Sequence, residues 1–162
     1  MLTLKLTIYE RKKFYYRVEI NCYEHFNVLG LQQVPFAVES RWFSGQCQLT
    51  TYALEELLGT KLRALYQRKK RRDLFDLQVA LESRDIDVDK VLKCYNRYME
   101  FMVGKAPTYK QFMQNMELKI HDPEFLDDSV ILLRKGAPRF NPAHAFELVK
   151  TTFIDRMPGR RD

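Results

Sequence analysis

Residues 54–77 constrain this chain more than any other stretch. Leu54, Leu57, Leu58, Leu62 and Leu65 recur at the spacing that lines one face of a helix, which predicts a long amphipathic helix running to about Lys69. A basic elbow follows, and a second helix is expected from about Arg72 to Glu82. Lys61 lies four residues after Leu57 and four before Leu65, so its ammonium projects from the apolar stripe, where it costs free energy unless it meets an anion. Asp73 and Asp76, three apart at the start of the next helix, share a face with Leu77 and Ala80. One inward cation and two nearby acids form a candidate site. Spacing leaves its role open: Lys61 could snorkel to water, the three residues could clamp two helices together, or they could face a ligand. Asp73 also suits a helix N-terminus, whose dipole favours negative charge.

The whole chain bounds the answer further. Its 162 residues fit one domain, or a small sheet fragment plus a helical domain. A hydrophobic share of 46% is enough for a core and excludes a disordered tail. The net charge of +6 points to an anionic partner, and it is concentrated in Arg68, Lys69, Lys70, Arg71 and Arg72. Such a run is either a solvated elbow or a phosphate-binding patch. Cys22, Cys47 and Cys94 are odd in number and widely spaced, which argues against a disulfide framework or zinc site and for a reducing, cytoplasmic setting. His25, His121 and His144 are scattered and suggest neither a metal cluster nor a nucleophilic triad. Met1-Leu2-Thr3 runs straight into strand-like alternation without a signal peptide, and no apolar run has the length to cross a bilayer, so no membrane partner is expected.

Punctuation divides the chain into a β-rich segment, 1–50, and a helical segment, 51–162. Leu2, Leu4, Leu6 and Ile8 alternate with polar residues as a first strand, and Phe14 to Cys22 reads as a second. Two strands alone would be marginal, so their apolar faces call for a neighbour. Phe36 to Glu39 and Gly45 to Leu49 read as further short strands, with Trp42 and Phe43 between them as packing residues. Thr50 or Thr51 can cap the lysine helix. A third helix runs from Val88 to Val103, with Asp87 as its cap, and Thr108 opens a fourth. Asp122-Pro123 and Asn141-Pro142 each carry the cap-then-proline signature, for a fifth and a sixth. Met99, Met102, Met113 and Met116 read as core packing. The fold class is therefore α+β: a small antiparallel β segment followed by a bundle of about six helices.

The central stretch resembles the AbiEii/AbiGii-type nucleotidyltransferase toxins of bacterial abortive-infection systems. Their pattern, E-E-L-L-x-x-K-L-R-A-L-x-Q-R followed by x-R-D-L-[YF]-D-L, is met here by Glu55, Glu56, Leu57, Leu58, Lys61, Leu62, Arg63, Ala64, Leu65, Gln67, Arg68, Arg72, Asp73, Leu74, Phe75, Asp76 and Leu77. Arg17-Val18-Glu19-Ile20-Asn21 resembles the charged strand that precedes the helix, and Lys119-Ile120-His121-Asp122-Pro123-Glu124-Phe125 a segment nearer the C-terminus. Arg71 departs from the glycine usual at its position and could stiffen the elbow or add a phosphate contact.

The resemblance implies transfer of a nucleotide from a nucleoside triphosphate (NTP) to an RNA acceptor such as tRNA. Lys61 would neutralise the triphosphate, Arg68 and Arg72 would add phosphate contacts, and Asp73 and Asp76 would orient Lys61 or the base. Asp73 is favoured as the reactive-site member, with Asp76 as its support. Such enzymes hold Mg²⁺ with a D-x-D pair after a Gly-Ser turn and a third carboxylate from a strand. Glu19 matches the third carboxylate, on the polar face of its strand, but no Gly-Ser turn and D-x-D precede the lysine helix. Asp85-Ile86-Asp87 is a decoy, lying after that helix and better read as a cap. The chain is accordingly expected to be the C-terminal part of a split or truncated enzyme, incomplete and inactive alone, with a missing N-terminal half as one partner. An antitoxin acting as a transcriptional repressor would be another. The alternatives are a non-catalytic nucleic-acid-binding module and a decayed relic.

Overall fold

The computed structural model describes residues 2–8, 14–20, 24–123, 125 and 140–160, the first two stretches by backbone alone. Strands β1 (Leu2–Ile8) and β2 (Phe14–Ile20) pair antiparallel, with Leu2 opposite Ile20 and Thr3 opposite Glu19. Strands β3 (Leu31–Glu39) and β4 (Ser44–Tyr52) form a second antiparallel pair, separate from the first. Helices α1 (Leu54–Gln67), α2 (Arg72–Ser83), α3 (Val88–Val103), α4 (Tyr109–Ile120) and α5 (Pro142–Thr152) follow, with a 3₁₀ turn at Ile154–Arg156. The α+β class is as expected. Five α-helices rather than six are present among the described residues, because the one expected from Asp122-Pro123 falls largely outside them.

The β3–β4 hairpin is longer than the alternation suggests. Its turn is closed by Ser40, whose backbone N–H donates to the Phe43 carbonyl at 2.9 Å while its hydroxyl oxygen accepts the Phe43 N–H at 3.0 Å. That closure sets a register that continues for nine residues on each strand. Trp42 and Phe43 do not pack. They occupy the turn tip, where Trp42 is 85% exposed with the Arg41 guanidinium 4.7 Å over its ring. Thr50 and Thr51 are not caps either, since they lie in β4 opposite Gln33 and Gln32. The strand runs directly into α1 through Ala53, which supplies no side-chain cap.

The other helix starts follow their local chemistry. Asp87 accepts the Lys90 N–H at 3.1 Å, Thr108 and Gln111 form a capping box, and Asn141 accepts the N–H groups of Ala143 and His144 ahead of Pro142. The core gathers Leu62, Leu65, Leu77, Tyr95, Phe112, Val149 and Phe153 from the five helices and the segment after α5. Within α1 the apolar stripe divides. Leu58, Leu62 and Leu65 are buried, whereas Leu54 and Leu57 stay exposed on the side that also carries Lys61. Gly59 sets how closely α1 and α3 cross: a Cβ there would sit 2.8 Å from the Cys94 Cβ and 2.9 Å from the Tyr95 nitrogen and Val91 oxygen. Among the methionines expected in the core, Met99 and Met116 are buried, Met113 is partly so, and Met102 is exposed.

Candidate functional site at the elbow

Helix α1 ends without a glycine cap and without a basic residue in its last turn. Its final carbonyls therefore need donors from elsewhere. The buried Lys119 of α4 supplies them: its ammonium donates to the carbonyls of Leu65 and Tyr66, the latter at 2.6 Å. A cation at this end also complements the helix dipole. Just beyond Lys119, Asp122 pairs with Lys69 of the elbow at 2.7 Å. Arg71 is buried, with its guanidinium 5.6 Å over the Phe140 ring. Of its two sequence readings, this geometry matches stiffening of the elbow.

On the outer side of this corner, the Lys61 ammonium lies 3.3 Å from Asp73 Oδ1 and 2.6 Å from Asp76 Oδ2. The three side chains differ in access: Asp73 is 2% exposed, Lys61 39% and Asp76 44%. Burial pulls the Lys61 ammonium toward neutrality, but the hydrogen bonds and charges of Asp76 and Asp73 outweigh it and leave its pKa raised. Lys61 thus stays protonated. An ammonium has three protons; the two acids take two, and the third has access to solvent. Asp73 Oδ2 is buried without a hydrogen-bond partner. Of the two acids, Asp76 is the accessible one and Asp73 the buried one.

Arg68 is the residue just past α1 and Arg72 the first of α2, and both are exposed. Arg72 precedes Asp76 by four residues and so shares its helix face. The side chain of Glu19 lies outside the described residues, and its backbone stands in β2 opposite Thr3. Cys94 is buried and its thiol is pushed up to about 11 by burial and the charge of Glu56, which makes it a poor nucleophile.

Glu56 is a residue to which spacing assigned no role. It belongs to the acid pair opening α1, yet it is fully buried. Its Oε1 accepts the Val28 N–H at 2.8 Å and the Tyr98 hydroxyl at 2.8 Å, and its Oε2 accepts the Leu29 N–H at 2.9 Å. Beside it Arg63 pairs with Glu24, and Phe26 stacks on Tyr98 with ring centroids 4.9 Å apart. This cluster fastens the segment before β3 onto α1 and α3, and a cleft of about 290 Å³ remains between Tyr52, Thr60 and Arg63. A signal was present: Glu56 lies three residues before Gly59, on the flank of α1 that crosses α3.

Among the described residues, no group of three or more His, Cys, Asp or Glu could hold a metal ion. Asp73 and Asp76 do not fit Mg²⁺ as they stand, because Lys61 already places a positive charge where the ion would sit. No described helix is long and apolar enough to cross a membrane.

The family model for the nucleotidyl transferase AbiEii toxin of type IV toxin–antitoxin systems matches residues 4–146. The chain belongs to that family. No curated protein and no solved structure matches it.

Proposed function

We propose that the elbow is the phosphate-handling part of a nucleotidyl-transfer site that moves a nucleotide from an NTP to an RNA acceptor such as tRNA. The observation that carries this reading is the partly exposed Lys61 ammonium held between Asp73 and Asp76. Phosphoryl chemistry is driven largely by positioning and charge neutralisation, and a lysine fixed at two points supplies both. Lys61 and its two acids carry a formal charge of −1, so Arg68 and Arg72 are needed to make the corner attractive to an anion. In this reading Asp76 orients the ammonium at the ligand, and Asp73 anchors it from below.

The D-x-D pair is not part of the described site, and Asp73 and Asp76 cannot replace it. We therefore read the chain as the triphosphate-binding part of a transferase whose other carboxylates come from elsewhere, with Glu19 as the third. Mg²⁺ dependence, cytoplasmic residence and an antitoxin partner follow from the same family reading.

The test is calorimetric titration of the purified chain with ATP and with GTP, alongside incorporation of labelled nucleotide into RNA. Triphosphate binding that Lys61→Ala abolishes, without incorporation by the chain alone, is expected. Robust incorporation by the chain alone would overturn the incompleteness. RNA binding that weakens steeply with salt and survives Lys61→Ala would favour a nucleic-acid-binding module instead. Failure to bind triphosphate or RNA would mark a relic.

A further inference from the structure

The cleft between Tyr52, Thr60 and Arg63 takes no part in the handling of phosphate, yet it opens on the same helix as Lys61. Leu57 lines it and precedes Lys61 by four residues, so the two side chains are neighbours on one face of α1 and Lys61 stands one turn from the cleft wall. Leu57 and Tyr52 are exposed members of the lining, whereas Tyr98 and Glu56 are buried ones. The buried side is fixed before any ligand arrives, because Glu56 is held by Val28, Leu29 and Tyr98, and Arg63 is held by Glu24. A preformed pocket of this kind loses little binding energy to ordering. At about 290 Å³ it is at the small end of ligand pockets, with room for one ring system rather than a whole nucleotide.

The chemistry of the lining excludes an anion and suits a flat, neutral ring. Glu24, Glu56 and Arg63 bring a formal charge of −1, so a phosphate is repelled here and directed instead toward Lys61, Arg68 and Arg72. Tyr52 offers an aromatic face for stacking. Arg63 pairs with Glu24 through Nη1, while its Nε is buried without a hydrogen-bond partner, so the guanidinium holds donor capacity that the fold leaves unused. Thr60 donates its hydroxyl proton to the Leu57 carbonyl at 2.8 Å, which leaves its oxygen able to accept an N–H. A ring that carries both acceptors and N–H donors on its edge answers all of these features.

We propose that this cleft is the nucleobase subsite of the transfer site, receiving the base of the incoming NTP while the ribose and phosphates pass over Leu57 to Lys61. The inference rests on the reading of Lys61 as a phosphate ligand, but occupation of the cleft by a base is measurable without any phosphate. A base with an exocyclic amino group is preferred, because its N–H protons meet the net negative charge of the lining. Uracil, which has two carbonyl oxygens and no amino group, fits less well, and a purine covers more of the Tyr52 ring than a pyrimidine does. In this role the Glu56 clamp holds the floor of the cleft and leaves contact with the base to Tyr52, Thr60 and Arg63.

Two measurements test the proposal. Calorimetric titration compares ATP with inorganic tripolyphosphate, which has no base. The wild-type chain binds ATP about tenfold more tightly, the size expected for one base stacked on an aromatic side chain. Tyr52→Ala brings ATP down to the tripolyphosphate level without altering tripolyphosphate itself, and Tyr52→Phe, which keeps the ring, keeps the difference. If the wild type binds ATP and tripolyphosphate equally, or Tyr52→Ala retains the full difference, the subsite is overturned while the phosphate reading of Lys61 stands. The second measurement adds adenosine, which has no phosphate, to the wild-type chain and follows backbone amide signals by NMR. Those of Tyr52, Leu57 and Thr60 shift, and those of Arg68 and Arg72 do not. Absence of the shifts overturns the subsite, whatever the chain does with phosphate. Adenosine shifts without any tripolyphosphate binding would sink the Lys61 reading and leave the cleft as a nucleoside site.

Discussion

Two ionic clusters sit on the same helix five residues apart, and they have opposite characters. Glu56 is sealed, and both of its oxygens are used by the donors of Val28, Leu29 and Tyr98. Lys61 is half-open, one of its partners is buried and the other exposed, and Asp73 retains an unpartnered oxygen. A buried carboxylate with every donor accounted for stabilises a fold and has little left to offer a ligand. A cluster with unspent capacity at an accessible corner can change partners. The difference separates a clamp from a candidate site, although both are charged residues on an amphipathic helix.

The sharpest way to break this comparison is Glu56→Ala. It leaves two backbone N–H groups and a tyrosine hydroxyl buried without acceptors, at about 1–3 kcal/mol each when fully unsatisfied. Partial relaxation reduces the sum, and an expected loss of about 3–5 kcal/mol would show as a lower urea midpoint. If Glu56→Ala melts like the wild type, water satisfies those donors and the clamp is illusory. Gly59→Ala, three residues on, attacks the same flank by sterics. Its Cβ would meet backbone atoms of α3 that cannot rotate aside, so α1 and α3 must separate, at about 1–3 kcal/mol.

What was legible in the sequence divides along the same line. The helix–elbow–helix frame, the caps at Asp87, Thr108 and Asn141, and the meeting of Lys61 with both acids depend on residues close in sequence. Local spacing carries that information. Glu56 and Lys119 depend on partners 28, 42 and 54 residues away. Spacing within one helix cannot show that a glutamate beside a leucine run will receive two amides from an upstream loop. The exposure of Leu54 and Leu57 was missed for the same reason: a five-leucine stripe wider than the contact face leaves its edge in water, and which edge depends on where α2 and α3 approach. Trp42 was misplaced because aromatic character was weighed above its place at a hairpin tip, where few neighbours exist to cover it.

The pH dependence of stability sharpens the comparison by separating Lys119 from Lys61. An ordinary lysine in the unfolded chain titrates near 10.5, whereas Lys119 in the folded chain is pulled down to about 8. Between these values the unfolded chain binds more protons, so the Lys119 contribution to stability rises with pH across that window. Lys61 is shifted the other way, and its contribution is present below about 10.5 and lost as pH climbs through its raised folded value. Lys119→Met should remove the rise above about pH 8 in urea midpoints measured up to about pH 10, while Lys61→Met leaves that rise in place.

Asp76→Asn makes the smallest change in stability and tests the open end of the cluster most directly. Both Asp76 and Lys61 are substantially exposed, so solvent screens their pair, and its loss should cost less than about 1 kcal/mol. The effect on ligand binding is expected to have the opposite sign from Lys61→Ala. Removing one negative charge from the corner favours an incoming triphosphate, with affinity rising by about threefold to tenfold at low salt and less as salt is added. Lys61 would then lose its outer tether and point less consistently, so tighter binding need not carry over to transfer. Calorimetric ATP titrations of Asp76→Asn at two salt concentrations check the sign. Weaker binding in the variant would mean that Asp76 meets the ligand through a hydrogen bond of its own, and that the cluster recognises more than phosphate charge.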